Sequence, residues 1–521
     1  MQLKDFPRPD DESRRGIHWS ASVFHPDGQA LDWWIHELVT MNIRWVKLLD
    51  SGSGSSKNVC QKLLANKIIP IVRLFRERPN PGHLGDGEKR TVADLVALGV
   101  RYFESSNEPN VAEEWQPGQW VPGGRPELVM QHWLLDAKVI MQLGGLPSFP
   151  ALAQCGKDPE HSSIEWYKKA FQWLALHAQQ EAGQAFSDGA WLAVHGAVLN
   201  HCYQDPEGQW HFEYPFDPIC QGDQPNKTVM DDDNSVLGYL VPEQLLQEHF
   251  ALTVPVISTE GAVLSPYTGW NRDTRYPTPE NYPGGPERWH SDCTVAMFKW
   301  LESRAAARWV RANKFAMCPW LIANQRMGHN DPAWTRDAWY QAGHNMPVVD
   351  AMKALPPPVP PAPAVLNPPD ETFKYSEAQI VELTRAAARQ VDINEELFLR
   401  LVREECRSRR REYDYKWIEP RTFATGCCQL MPADFNANAS GFYRITDLKD
   451  PVANLRAGSL YLVSLFREFG TWEKGIAAWN WGPQNLRNLL KAGYTRSWMA
   501  WLPDETRKLI RLVEIDGPRL S

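Results

Sequence analysis

The chain has 521 residues, 43% hydrophobic and 23% charged, a globular balance over a length too great for one ordinary core, so two domains are expected. Its formal charge of −8 is unevenly placed: from Glu371 onward 23 Lys and Arg face 20 Asp and Glu, which leaves −11 on the first 370 residues. An acidic front half speaks against a nucleic-acid partner, and no run approaches the roughly 18 apolar residues of a transmembrane segment. Nine cysteines without a CxxC pair indicate neither a disulfide framework nor a zinc site, and no metal or cofactor is expected. Met1 to Arg15 is polar and charged, with no apolar signal stretch, so synthesis in the cytoplasm is expected.

In chain order, short apolar or β-branched runs at 16–20, 44–50, 68–75, 102–106, about 150–153, 191–194, 254–259 and 315–322 read as strands. Helical patterns lie between them at 31–41, 128–142, 164–180 and 294–312. Eight strands alternating with helices predict a (β/α)8 barrel over residues 1–355. The polar, aromatic, Pro-rich stretch 202–244 reads as a long loop on the active face. Residues 356–370 hold Pro356-Pro-Pro-Val-Pro-Pro-Ala-Pro, which forms neither helix nor central strand and predicts a semi-rigid extended linker. Residues 371–521 are helical by pattern. Ser376 is a candidate N-cap for 377–391, where Ile380, Leu383, Ala387 and Val391 recur at helical spacing, and 395–406, 454–469, 472–479 and 505–515 follow. The expected fold class is α/β followed by all-α.

Tryptophan is in excess, 24 residues with 18 before Glu371. About half belong in a core by general burial habit; the rest suit a cleft that stacks flat rings on sugars. Barrel enzymes place their chemistry at the C-terminal ends of strands, and two carboxylates stand there. Asn107-Glu108-Pro109 ends the fourth strand and Thr259-Glu260-Gly261 the seventh. One acid to protonate a leaving oxygen and one to attack the anomeric carbon is the retaining glycosidase arrangement. Arg73 on the third strand is a candidate for holding the attacking carboxylate ionised.

On these residues the first domain resembles clan A of the glycoside hydrolases. The resemblance implies Glu108 as acid/base, Glu260 as nucleophile, Asn107 as partner of the sugar 2-hydroxyl and Trp320 as the aromatic floor beneath the sugar. His201-Cys202-Tyr203 is similar to a His-x-Tyr pair that some members place near the nucleophile, with His195 competing for that role.

The second domain carries Glu404-Glu405-Cys406 at a helix end, Gly426-Cys-Cys-Gln429-Leu-Met-Pro432, Asn454-Leu-Arg-Ala-Gly458-Ser-Leu-Tyr461, Ala478-Trp479-Asn480-Trp-Gly482-Pro483 and Pro503-Asp-Glu505-Thr506-Arg507. In order and spacing these resemble the soluble lytic transglycosylase family, which has a lysozyme-like fold. The resemblance implies Glu405 as the single acid, with Glu404 its solvated neighbour. Gln429 and Asn480 would supply the cleft's hydrogen-bonding groups and Tyr461 its aromatic support. The substrate implied is peptidoglycan, cut between N-acetylmuramic acid and N-acetylglucosamine to a 1,6-anhydro product. The chain departs from the family at Cys406 (Ser), Cys427-Cys428 (Leu-Met), Trp479 (Tyr) and Leu509 (Tyr). The run Arg407–Arg411 reads as a solvated face or a contact for anionic glycan.

The expected function is therefore a two-site peptidoglycan-degrading enzyme acting at the bacterial cell wall. Two alternatives stay open: a transglycosylase whose barrel only binds sugar, and a structural phage component with vestigial clefts. The sequence leaves the barrel's sugar, the route to the wall and the oligomeric state undetermined.

Overall fold

The computed structural model describes residues 1–154, 160–197, 202–205, 207–224, 227–232, 234–262, 279–303, 306, 309–323, 334–341, 343–358, 377–407, 424–431, 448, 450–494 and 498–513. The chain divides into two compact units, Met1–Val365 and Leu366–Ser521. The linker expected at 356–370 and the Ser376 cap lie largely outside the described residues.

The first unit is a (β/α)8 barrel. Its strands are β1 (Gly16–His18), β2 (Trp45–Asp50), β3 (Ile69–Leu74), β4 (Tyr102–Glu104), β5 (Leu146–Phe149), β6 (Trp191–Ala197), β7 (Val256–Ala262) and β8 (Lys314–Pro319). Each pairs in parallel with the next in chain order. β8 returns to β1 through a parallel bridge between Arg15 and Met317, where the Met317 N–H donates to Arg14 O at 3.0 Å.

The two-residue repeat of each strand sorts its side chains into two layers. Val46, Val72, Phe103, Leu192 and Val256 pack outward in the large core under the helices. Their neighbours Trp45, Ile71, Tyr102, Trp191 and Ile257 fill the barrel interior. One pleat further along the same faces come Lys47, Arg73, Glu104 and, two residues after interior Ala193, His195. The interior is thus apolar below and ionisable at the C-terminal mouth, where barrel sites lie.

Several elements differ from expectation. The fifth strand is Leu146–Phe149 rather than about 150–153. The helix Pro126–Gln142 is followed at once by Gly144 (φ +89°) and Gly145, and a Cβ at Gly145 would lie 2.8 Å from both Ile140 and Phe103. The chain turns tightly here and re-enters the sheet early. The pattern at 164–180 is two helices, Ser163–His177 and Gln179–Asp188, broken at Ala178 (φ −148°). The helix expected at 294–312 is Pro286–Leu301, started by a proline whose missing N–H costs nothing in a first turn. Within 202–244, read as loop, lie a hairpin (Tyr203–Gln204 with Trp210–His211), a helix Pro218–Asp223 capped by Asp217, and the start of the helix Leu240–Phe250.

The second unit is helical: Glu377–Gln390, Glu395–Arg407, Pro451–Phe469, Trp472–Trp481, Pro483–Lys491 and Asp504–Val513. Its own core joins Leu397, Phe398, Leu401 and Val402 to Cys427, Cys428, Leu455, Leu462, Ile476 and Ile510. Side-chain caps start the helices: Asn394 accepts from the N–H groups of Glu396 and Leu397, Asp450 from Val452 and Thr471 from Lys474. Among the described residues no helix is long and apolar enough to cross a membrane.

Candidate active sites

The barrel mouth gathers Glu108 and Glu260 from opposite sides. Two-residue alternation from interior Ile257 would turn Thr259 inward and Glu260 out. A register shift decides otherwise: Val194 pairs with Ser258, but the next residue, His195, pairs with Glu260. The irregularity passes over Thr259 and brings Glu260 into the mouth, as bulges beside active sites do. Glu108 stands just beyond β4 with φ +36°, a left-handed conformation costing a non-glycine residue about 1–2 kcal/mol. Its N–H donates to Ala151 O at 2.9 Å. Buried Asn80 donates to Asn107 O at 2.8 Å and Glu114 O at 3.2 Å, stapling the segment from both ends.

Cations crowd around Glu260 Oε1. Fully buried Lys47 reaches it at 2.5 Å and also lies 3.4 Å from Glu104; Arg73 Nη1 is 3.7 Å away, His18 Nε2 3.5 Å and His195 Nε2 3.8 Å. Burial pushes the Glu260 carboxyl up, but Lys47, His195 and His18 together hold it well below the usual carboxylate range. His195 Nδ1 is 2.7 Å from Glu108 Oε1. Burial works against a charged His195, yet Glu260 and Glu108 on its two sides raise its pKa. His18, pushed down to about 4 by burial and then by Lys47, is neutral and packs against the Trp320 ring at 4.5 Å between centroids. Oxygen or nitrogen atoms of Glu108, His195 and Glu260 lie within 4.8 Å of one another, near enough to share an ion. A metal there would face the Lys47 ammonium and Arg73 guanidinium already spent on Glu260, which disfavours a cation.

Most of the expected barrel residues converge. Glu108, Glu260, Arg73 and Trp320 all reach the mouth. Arg73 is a secondary partner of Glu260, because Lys47 is much closer. Asn107 donates its amide to Glu114 Oε1 at 2.9 Å. His195 occupies the place between the carboxylates; His201 and the side chain of Tyr203 lie outside the described residues. Sequence reasoning missed Lys47, Glu104, His18 and Glu114. The first two were legible in principle, two residues beyond interior Trp45 and Tyr102 on the same strand faces. Glu114 sits on a 3-10 turn, Ala112–Glu114, that no periodicity announces, and burial raises its pKa to about 7 against the opposing pull of Arg73.

The helical unit offers a different environment for one acid. Glu405, in the last turn of Glu395–Arg407, is partly buried, and Trp479 Nε1 donates to its Oε1 at 3.2 Å. Burial raises its pKa to about 7, aided by Glu404 and opposed by the Trp479 N–H. The turn around Gly426 is tied by buried Asn454, which donates to Thr425 O (2.9 Å) and Leu448 O (2.8 Å) and accepts from Cys428 N (2.7 Å). Gln429 (φ +46°) folds its amide back onto Gly426 O at 2.9 Å. Tyr461 packs on Trp479 at 5.3 Å. Exposed Asn480 accepts from the hydroxyl of buried Thr506 at 2.6 Å, which ties the late Pro-Asp-Glu-Thr-Arg segment to the end of the helix Trp472–Trp481. The side chain of Cys406 and residues 408–411 of the arginine run lie outside the described residues.

Residues 382–501, in the second unit, match the family described as the transglycosylase SLT domain, and the chain is a glycan-processing enzyme. No curated protein matches the chain. Among solved structures the barrel is similar to a GH39 enzyme from Xanthomonas axonopodis pv. citri (13% identity, 67% of each chain, TM-score 0.39). It is also similar to a monomeric beta-xylosidase from Caulobacter crescentus CB15 (15% identity, 67% of this chain and 68% of the other, TM-score 0.39). A third is a beta-glucosidase from Trichoderma harzianum (12% identity, 63% and 85%, TM-score 0.35). Likeness at this level carries no functional argument, and the barrel assignment stands on its own strand order.

Proposed function

We propose that the chain degrades peptidoglycan with two sites: a retaining glycosidase in the barrel and a lytic transglycosylase in the helical unit. The observation that carries the two-site reading is the approach of Glu108 and Glu260 to within 4.8 Å across the mouth. An approach of two oxygens that close favours the spacing of retaining glycosidases, about 5–5.5 Å between carboxyl groups, over the wider one of inverting pairs. In this reading Glu260, held anionic by Lys47, attacks the anomeric carbon. Glu108 protonates the leaving oxygen, and the His195 proton 2.7 Å away is at hand to restore it. Trp320, with His18 behind it, provides the face on which the sugar stacks.

In the helical unit Glu405, protonated near neutral pH, gives its proton to the bridging oxygen of a muramoyl linkage. The muramoyl 6-hydroxyl then closes on the anomeric carbon and returns a proton to the same carboxylate, forming the 1,6-anhydro ring without water. One acid suffices because it acts twice.

The deciding experiment is mass spectrometry of soluble products from purified cell wall. The parent chain should release both anhydro ends and new reducing ends. Glu405→Gln should abolish the former, and Glu108→Gln with Glu260→Gln the latter. Anhydro ends alone from every active variant would reduce the barrel to a sugar-binding module.

A further inference from the structure

The indole that touches Glu405 is held by its own helix and by one packed ring. Trp479 lies in the helix Trp472–Trp481, beside the helix Pro451–Phe469. Tyr461 packs on it at 5.3 Å with planes inclined by 36°. Gly458 of that helix makes room for Cys428: a Cβ there would collide with Cys428 Sγ and stand 2.9 Å from Cys428 Cβ, while Trp479 Cη2, 3.4 Å away, is in ordinary contact range. So held, the ring points Nε1 at Glu405 Oε1, 3.2 Å away. An indole nitrogen only donates; it has no lone pair to accept. In a protonated carboxyl the strong acceptor is the carbonyl oxygen, not the hydroxyl. The oxygen facing Trp479 must therefore be the carbonyl one.

We propose that Trp479 is the positioning residue of this site: it fixes Oε1 as acceptor, so the proton that Glu405 gives and takes back is carried on Oε2. The inference rests on the transglycosylase reading of Glu405. In the first step the Oε2–H bond breaks and the proton joins the bridging oxygen, which also keeps the electron pair of the broken C–O bond. In the second the 6-hydroxyl oxygen bonds to the anomeric carbon and its proton returns to Oε2. The indole N–H stays in place throughout, and its hydrogen bond strengthens while the carboxylate is ionised.

The test uses the full chain and measures release of anhydro-muropeptides against pH. Trp479→Phe keeps an aromatic ring and removes the donor. It should lower kcat about tenfold, the order of one hydrogen bond to a charged group, with KM little changed. It should also move the alkaline limb of the profile upward, because the ionised carboxylate loses its donor. A folded Trp479→Phe variant with an unmoved limb overturns the inference. An active Glu405→Gln variant overturns instead the reading beneath it. If Trp479→Phe does not fold, the indole N–H resonances of the parent chain decide. One must titrate with the midpoint of the alkaline limb and cease to do so in Glu405→Gln; none doing so overturns the proposal.

Discussion

Glu260 and Glu405 are the same residue in opposite surroundings. Glu260 sits beside cations, Lys47 at 2.5 Å with Arg73 and His195 behind, and is held ionised well below the ordinary range. Glu405 takes the uncharged Trp479 N–H and lies beside acidic Glu404, and burial lifts it to about 7. Both are withdrawn from water, so desolvation pushes both upward; what separates them is whether a charge answers it. The lesson is that a carboxylate's role as nucleophile or acid belongs to its neighbours.

The comparison breaks most sharply by deleting the acid. Glu405→Gln keeps the shape and cannot donate, so release of anhydro-muropeptides should fall by at least about 100-fold, while Glu404→Gln changes it little. Near-normal turnover with Gln at 405 would give the role to Glu404.

Next in size is the cation beneath Glu260. Lys47→Met leaves a buried carboxylate without its nearest partner and should destabilise the barrel by about 3–5 kcal/mol in chemical denaturation. Adding Glu260→Gln to Lys47→Met should restore much of that loss. If the double variant is as unstable as the single, Lys47 acts through packing and not through charge.

The pH dependence of stability should differ in sign. Glu260, depressed in the fold, contributes stability that is present above its unfolded value near 4.5 and lost as pH falls through the folded one. Glu405, raised to about 7, contributes stability that is complete below 4.5 and lost as pH rises through 7. Differences in Tm between the parent and each Glu→Gln variant should therefore change in opposite directions, as pH falls below about 4.5 for Glu260 and as it rises from about 4.5 through 7 for Glu405. Parallel slopes would mean that the two environments are not distinct.

The smallest effect concerns Glu114. Replacing it by Gln keeps a partner for Asn107 but removes the charge shared with Arg73, 3.6 Å away. A change of only a few-fold in barrel turnover is expected, setting in as pH rises through about 7, where Glu114 loses its proton, and persisting above it. A loss that is uniform across pH would make its role purely structural.

The sequence alone determined much of this. Strand and helix periodicity gave the barrel's order, and the ends of the fourth and seventh strands pointed to Glu108 and Glu260, because local patterns carry which residues share a face. Ordered motifs pointed to Glu405, Gln429, Tyr461 and Asn480 for the same reason: each lies within a short, self-contained segment. What the sequence could not settle involved elements far apart in the chain. Strict alternation would have turned Glu260 outward, and only the shifted pairing of β6 with β7 brought it opposite His195. Lys47 and Glu260 are 213 positions apart, and Trp479 and Glu405 are 74 apart. Protonation is set by through-space charge and burial at those meeting points, so only the tertiary structure supplied the physical reason: cations that hold Glu260 low and burial that lifts Glu405.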